Sequence, residues 1–247
     1  MATDNLKNKA LQIRTTLIDN YGHPVWRNPL SPLDELVSTI LSQNTNDVNR
    51  DRAFDSLIKS FPDWESVRDA PQDEVIAAIR IAGLANQKGP RIQKVLSQIT
   101  NECGELSIDF LADMSAEDAK SWLMRFKGVG PKTAAIVLLF SLDQHAFPVD
   151  THVYRVSGRL GLLPDKMSVD AAHTHLEHVF LEQHYYDVHL NIIRLGREVC
   201  HARKPKCPIC PVRQHCSYWK GNSLSLIHIS EPTRRYAISY AVFCLKK

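Results

Sequence analysis

The stretch WLMRFKGVGPKTAAIVLLFSLDQHAFPVDTH, from Trp122 to His152, decides the fold. Gly128 and Gly130 bracket a turn in which positive φ and close backbone approach are possible. Pro131 suits the first position of a following helix, where its missing N–H costs nothing. The apolar run over residues 134–140 gives that helix a buried body. The stretch therefore predicts a glycine turn that leads into a buried helix.

A second helix is predicted just before the turn. Ser115 and Asp118 have the spacing at which two side chains close off the free amides of a helix start. We therefore expect a helix over about residues 116–126, so that the stretch forms a helix, a Gly-Val-Gly hairpin and a second helix.

Such a hairpin directs unpaired amides of the second helix outwards, and these groups suit a phosphate oxygen. Four basic residues surround it, with no acidic residue between Ala119 and Leu142: Lys120, Arg125, Lys127 and Lys132. This arrangement favours a polyanionic partner. The alternative is that the glycines merely end one helix and begin the next.

Asp150 ends the loop that follows the second helix. It can simply be the N-cap of a helix that carries Val153, Val156 and Leu160. A capping carboxylate can also face a cleft, so both interpretations stay open for Asp150.

Two motifs together carry a family resemblance. They are Gly128-Val129-Gly130-Pro131-Lys132-Thr133-Ala134 and Val149-Asp150-Thr151-His152. In this order and spacing they resemble the endonuclease III family of helix-hairpin-helix DNA glycosylases. The resemblance implies that Lys132 is the nucleophile and Asp150 the carboxylate that supports it. It also implies DNA contacts by these residues of the two motifs: Lys127, Gly128, Val129, Gly130, Thr133, Thr151 and His152.

Two further loops can contact DNA if the resemblance holds. The amide-rich segment 42–47 is either a solvated turn or the loop from which Asn44, or its neighbour Gln43, fills the space of a flipped nucleotide. Leu84, beside Gly83, is either the apolar contact of a helix cap or a wedge into the duplex.

Four cysteines lie within 17 residues, at Cys200, Cys207, Cys210 and Cys216. Thiols this dense in a reducing compartment are more often metal ligands than disulfides. Zinc sites usually pair two short Cys-x-x-Cys units, whereas this spacing matches the [4Fe–4S] ligation of the endonuclease III family. Three basic residues between the first two ligands are expected to reach DNA phosphates: Arg203, Lys204 and Lys206.

The composition is that of an ordinary globular protein, with 44% hydrophobic and 23% charged residues in a chain of 247. The sequence shows no signal peptide and no apolar run that could cross a bilayer, so we expect a cytoplasmic, nucleoid-associated protein. Segment 224–234, LSLIHISEPTR, resembles a translated adapter oligonucleotide, and residues 223–247 are treated as a non-native tail. Without that tail the net charge is zero, so overall charge gives no argument for nucleic acid.

The expected fold is all-α, since helical periodicity recurs throughout and strand-like alternation is absent. The resemblance implies two domains: a six-helix barrel over residues 25–145, and a [4Fe–4S] cluster domain that joins residues 1–24 to residues 146–222. Four histidines after residue 170 are expected to form a solvated face and not a metal site: His173, His175, His178 and His184.

The resemblance implies a glycosylase with apurinic/apyrimidinic (AP) lyase activity on oxidised pyrimidines, acting as a monomer on double-stranded DNA with damaged bases or abasic sites. A lysine amine attacks only when it is neutral, so we expect the cleft to shield Lys132 from water. Pro131 and the Phe126-Lys127 pair depart from the common family pattern, which leaves base specificity open. The alternatives are a mismatch-specific glycosylase of the same superfamily and a non-catalytic iron–sulfur protein that binds DNA or senses redox state.

Overall fold

The computed structural model describes residues 2–25 and 29–221. Every regular element in these ranges is helical, which confirms the predicted all-α fold. The segment that we interpret as a non-native tail, residues 223–247, lies outside the described residues.

Eleven α-helices precede the cysteine loop in the described ranges, and residues 217–221 after that loop are also helical. The eleven are α1 (Ala2–Tyr21), α2 (Pro32–Ser42), α3 (Asp47–Ser60), α4 (Trp64–Asp69), α5 (Gln72–Ala78), α6 (Ala85–Cys103), α7 (Ala116–Met124), α8 (Pro131–Ser141), α9 (Thr151–Leu160), α10 (Val169–Val179) and α11 (Tyr185–Glu198). Short 3₁₀ turns lie between some of them, and two more, Cys207–Ile209 and Arg213–His215, follow α11.

Local side chains explain where several helices begin. Ser31, Ser115 and Ser168 each accept a hydrogen bond from the backbone N–H three residues later, at the starts of α2, α7 and α10. Each of these bonds satisfies one of the free donors of a first helical turn. The helix predicted over residues 116–126 ends two residues early, at Met124.

Two hydrophobic clusters form the interior. The first cluster contains buried residues from each of the helices α2 through α8. The second contains buried residues of α1, α9, α10 and α11. Helix α8 serves both, because Leu138 belongs to the first cluster and Leu139 to the second. We propose that these clusters are the cores of the two expected domains, 25–145 and 1–24 with 146–222.

Polar contacts link the two clusters. Lys120 of α7 pairs with Glu177 of α10 at 3.2 Å, and Glu177 also accepts the N–H of Phe147. Arg197 of α11 pairs with Asp47 at the start of α3, at 2.8 Å. The two halves are therefore held together by ion pairs as well as by α8.

One expectation about the histidines is wrong. His173 does not lie on a solvated face: it is 2% exposed and its ring nitrogen lies 3.0 Å from the carbonyl oxygen of Phe147. Periodicity failed here because the ring has a specific polar partner inside the second cluster.

Within the described ranges, no helix combines the length and the apolar character that crossing a bilayer demands.

Candidate functional site

A cleft of about 2200 Å³ is lined by residues of both clusters. Its walls come from α2, α8, the start of α9 and α11. Lys132, in the first turn of α8, and Asp150, at the cap of α9, both line it. The two residues chosen from sequence as a catalytic pair therefore border the same space.

Lys132 is exposed to solvent in the cleft. The expectation of a shielded amine is therefore wrong for the free protein. Among the described residues, no carboxylate forms an ion pair with Lys132. The amine is consequently accessible to a ligand that enters the cleft, and any shielding has to come from that ligand.

Asp150 uses one carboxylate oxygen for structure. Its Oδ1 accepts the N–H of Val153 at 2.7 Å, which caps α9 as the sequence predicts. The residue is half-buried, and it lines the cleft. Since a carboxylate can accept several hydrogen bonds, the cap leaves Oδ2 able to act on a ligand.

His189 of α11 is buried beside both residues. Its Nδ1 lies 2.9 Å from the carbonyl oxygen of Pro148, which can only accept, so this nitrogen carries the proton. Burial lowers the pKa of His189 to about 4, while the charge of Asp150 raises it and that of Lys132 lowers it further. His189 is therefore a neutral ring whose pKa depends on the charges of Asp150 and Lys132. Sequence reasoning did not identify this residue.

The hairpin has the expected conformation. Gly128 has φ of 94°, a value that favours glycine, and Val129 is buried and anchors the turn. No side chain caps the first turn of α8, so its amides stay available to an anion. The side chain of Thr133 is buried, so this residue can reach DNA only through its backbone N–H.

Fewer basic side chains around the hairpin lack an acidic partner than the sequence suggests. Lys120 is paired with Glu177, and Arg125 pairs with Glu102 at 2.7 Å. This leaves Lys127 and Lys132 as the exposed cations next to the turn that have no acidic partner among the described residues.

The amide-rich loop is tied to the hairpin. Gln43 donates from Nε2 to the carbonyl oxygen of Gly128 at 3.0 Å, and its Oε1 accepts from Arg91 at 2.6 Å. Asn44 is exposed and has φ of 55°. Because Gln43 is occupied within the protein, Asn44 is the side chain of this loop that is able to reach outwards. No motif in the sequence pointed to Arg91 as a partner of this loop.

Leu84 is not a buried cap contact. Its side chain is 47% exposed, and its φ is 51° at the start of α6. Nearby, Lys88 is 1% exposed and donates to the carbonyl oxygens of Leu41 and Ala82, both at 2.8 Å. Lys88 thus ties the end of α2 to the turn that presents Leu84.

The two residues after Asp150 differ in accessibility. Thr151 is exposed, whereas His152 is half-buried, with Nδ1 3.1 Å from Nη2 of Arg155. Thr151 is therefore the better placed of the two for a ligand contact.

The cysteine loop fits an iron–sulfur cluster. All four thiols line one small cavity whose other walls include apolar side chains of α9 and α11. In the described part of the chain, no three Cys, His, Asp or Glu side chains converge on one point as a single ion requires. A cubane cluster allows this spread, because each thiolate binds a different iron atom.

Two arginines of α9 hold this loop. Arg159 donates to Sγ of Cys200 at 3.3 Å and to the carbonyl oxygens of His201 and Ala202. Arg155 donates to the carbonyl oxygen of Cys200 at 3.1 Å. The sequence contained their helical spacing of four residues, but that spacing did not identify their target.

The basic residues predicted in the loop are all exposed. They are Arg203, Lys204 and Lys206. Lys204 has φ of 50°, which turns the loop between the first two cysteines. No acid of the described residues forms an ion pair with any of the three.

Two segments of the chain match known protein families. Residues 37–180 match the HhH-GPD superfamily of base excision DNA repair proteins. Residues 200–216 match the iron–sulfur binding domain of endonuclease III. The cofactor of the loop is accordingly a [4Fe–4S] cluster.

Several curated proteins are similar. The chain is 37% identical over 192 residues to the Arabidopsis thaliana protein At3g47830, covering 74% of this chain and 65% of that one. It is 31% identical over 189 residues to the endonuclease III of Sulfolobus acidocaldarius, covering 76% of this chain and 82% of that enzyme. It is also 31% identical to Protein ROS1C of Oryza sativa over 69% of this chain, but that match spans only 10% of ROS1C.

A solved structure of a trapped endonuclease III–DNA covalent intermediate is also similar. The TM-score is 0.74 at 25% identity, and the match covers 88% of this chain and 98% of that one.

Proposed function

Because the chain belongs to the HhH-GPD superfamily of base excision DNA repair proteins, we propose that it is a bifunctional DNA glycosylase and AP lyase that removes oxidised pyrimidines. The observation that carries this proposal is that Lys132 and Asp150, from two different helices, line one cleft. A lyase needs an amine that can reach the sugar, and Lys132 is exposed there without an acidic partner among the described residues.

The reaction begins with extrusion of the damaged nucleotide, since its sugar carbon is unreachable inside a duplex. The Lys132 amine attacks C1′, and the new C–N bond replaces the glycosidic bond. The base leaves with the bonding electrons and takes up the proton that the lysine nitrogen loses. Asp150 stabilises the positive charge that develops on the sugar, through the oxygen that does not cap α9. Ring opening gives a Schiff base, and loss of a C2′ proton then expels the 3′ phosphate.

DNA itself supplies the shielding that the free protein lacks. A duplex bound over the cleft displaces bulk water from around Lys132 and encloses the amine with the sugar. The neutral ring of His189 adds no positive charge of its own to this environment. The amine therefore becomes reactive mainly in the complex.

We propose that two parts of the protein around the cleft contact the duplex: the hairpin, and the turns that carry Asn44 and Leu84. The hairpin offers the backbone amides of Gly130, Lys132 and Thr133, together with the side chain of Lys127, to one phosphate region. Asn44 and Leu84, both exposed on left-handed backbone, enter the space that the extruded nucleotide leaves. Gln43 and His152 act indirectly, by holding Asn44 and the start of α9.

The cluster loop forms a second anchor. We propose Cys200, Cys207, Cys210 and Cys216 as the ligands of the [4Fe–4S] cluster, which orders the loop. Arg203, Lys204 and Lys206 then contact phosphates, as does Thr151 near the cleft. Purified protein should absorb visible light, whereas a colourless sample containing zinc would contradict the assignment.

Borohydride trapping on a duplex with one abasic site tests the proposal. The intact protein is expected to form a covalent adduct, and Lys132→Ala is expected to form none while melting at the same temperature. Absence of an adduct with the intact protein would reject the lyase and leave a mismatch-specific glycosylase or a non-catalytic binder. Excision assays on duplexes with a single mismatched base pair then separate those two.

A further inference from the structure

A polar stripe on α2 faces the cleft and is not used by the reaction described above. Glu35, Thr39 and Gln43 recur at every fourth residue and all line the cleft. Gln43 bonds to the hairpin, so Glu35 lies eight residues, or about 12 Å of helix, further from the hairpin. The stripe therefore runs from the hairpin towards the floor of the cleft.

Glu35 has a defined orientation there. Thr39, which is 4% exposed, donates its hydroxyl to Oε1 of Glu35 at 3.2 Å. Among the described residues, Oε2 has no hydrogen-bond partner and Glu35 forms no ion pair. The nearby Arg50 is engaged with Asp51 at 2.7 Å.

The surroundings of Glu35 shift the pKa of its carboxyl upwards. Burial raises the pKa of Glu35, the Thr39 hydrogen bond and Arg50 act in the opposite direction, and Asp34 raises it further. A base that covers the carboxyl removes more water and strengthens this effect. Because Oε1 already accepts the hydroxyl of Thr39, the proton of the protonated carboxyl lies on Oε2, which can then donate a hydrogen bond.

We propose that Glu35 is a base-recognition residue, whose Oε2 donates a hydrogen bond to a carbonyl oxygen of the extruded pyrimidine while Thr39 holds Oε1. The inference rests on the proposed function and extends it, since it assigns the group that reads the base after Lys132 and Asp150 have been assigned to the sugar. A site built to form a hydrogen bond rejects a base that cannot form it, so Glu35 contributes to substrate choice.

The experiment compares Glu35→Gln, which keeps a donor, with Glu35→Met, which keeps similar volume but has none. Single-turnover excision is measured on a duplex with one 5-hydroxyuracil, and strand cleavage on the same duplex with an abasic site. Glu35→Met is expected to lose roughly 10- to 100-fold in excision. Glu35→Gln should recover to within a few-fold, and abasic cleavage, which involves no base, should change by less than about twofold in either variant.

Glu74→Met, an exposed glutamate of α5, is the matched control and should alter neither reaction. Unchanged excision by Glu35→Met would overturn the inference, and so would equal losses in excision and abasic cleavage, which indicate a structural role. An intact protein that cleaves abasic DNA but leaves 5-hydroxyuracil intact would also overturn it, while the Schiff-base chemistry of Lys132 would stand. An intact protein without any abasic adduct would instead reject the proposed function.

Discussion

The starts of α6 and α8 each carry a lysine just after a glycine turn, and the two lysines have opposite environments. Lys88 is 1% exposed and both of its hydrogen bonds go to backbone carbonyls. Burial lowers the pKa of Lys88, and the charge of Arg91 lowers it further. Lys132 is exposed in the cleft and has no acidic partner among the described residues.

The difference teaches that burial alone does not identify a nucleophile. Lys88 is the more buried amine, but its hydrogen bonds to Leu41 and Ala82 hold the end of α2 against the turn that carries Leu84, and its Nζ is inaccessible to a sugar. Lys132 is accessible, and it lacks only the shielding that a bound duplex can provide. Four measurements test whether the two lysines differ in this way.

The largest expected difference is in the chemical reactivity of the two lysine amines. Reductive methylation of the free protein is expected to modify Lys132 readily, whereas Lys88 should react on the order of a hundredfold more slowly, because it becomes accessible only by local unfolding. Mass spectrometry of peptides measures both rates. Duplex DNA with an abasic-site analogue should protect Lys132 alone, and comparable rates for the two lysines in the free protein would remove the contrast.

Substitution of Lys88 should reduce stability without removing chemistry. Lys88→Met leaves the carbonyls of Leu41 and Ala82 without their donor, so the free energy of unfolding should fall by about 1–3 kcal/mol. Urea denaturation measures this fall, with Lys94→Met on the exposed side of α6 as the control. Borohydride trapping should persist below the melting transition. Loss of trapping in a folded Lys88→Met protein would mean that Lys88 takes part in the chemistry.

Acid should weaken the fold next to Lys132 through His189. Its pKa is lowered in the folded state, so the unfolded chain binds the extra proton, and stability is lost as pH falls from about 6.5 towards 4. The contribution is at most about 1.4 kcal/mol for each pH unit of this window. Denaturation of His189→Gln over the same pH range should show a shallower slope. An unchanged slope would show that this ring is not the titrating group.

The smallest effect should come from the loop that joins the hairpin to the end of α2. Gln43→Ala removes hydrogen bonds to Gly128 and Arg91, which should cost about 1 kcal/mol of stability. Asn44→Gly, at φ of 55°, should change stability by less than about 0.5 kcal/mol and yet weaken binding to abasic DNA. If the two variants behave alike, the distinction between an inward Gln43 and an outward Asn44 is wrong.

Much of the site could be predicted from the sequence, because its decisive features are local. The Gly128 to Lys132 turn and the Asp150 cap depend on neighbouring residues, and the structure has both as predicted. The exposure of Lys132 was predicted wrongly, since it depends on how far apart the walls of the cleft stand. The predicted roles of Lys132 and Asp150 in chemistry remain predictions.

The sequence by itself determined the all-α fold, the hairpin and the thiol spacing, because periodicity, capping and short-range spacing act within a few residues along the chain. Only the tertiary structure decided that Gln43 bonds to a carbonyl 85 residues away and that Arg159 reaches Cys200 41 residues further on. It also decided that Glu35 lines the cleft while Lys88 does not. Such contacts join segments that are distant in the chain, so they arise from helix packing, which no local pattern records.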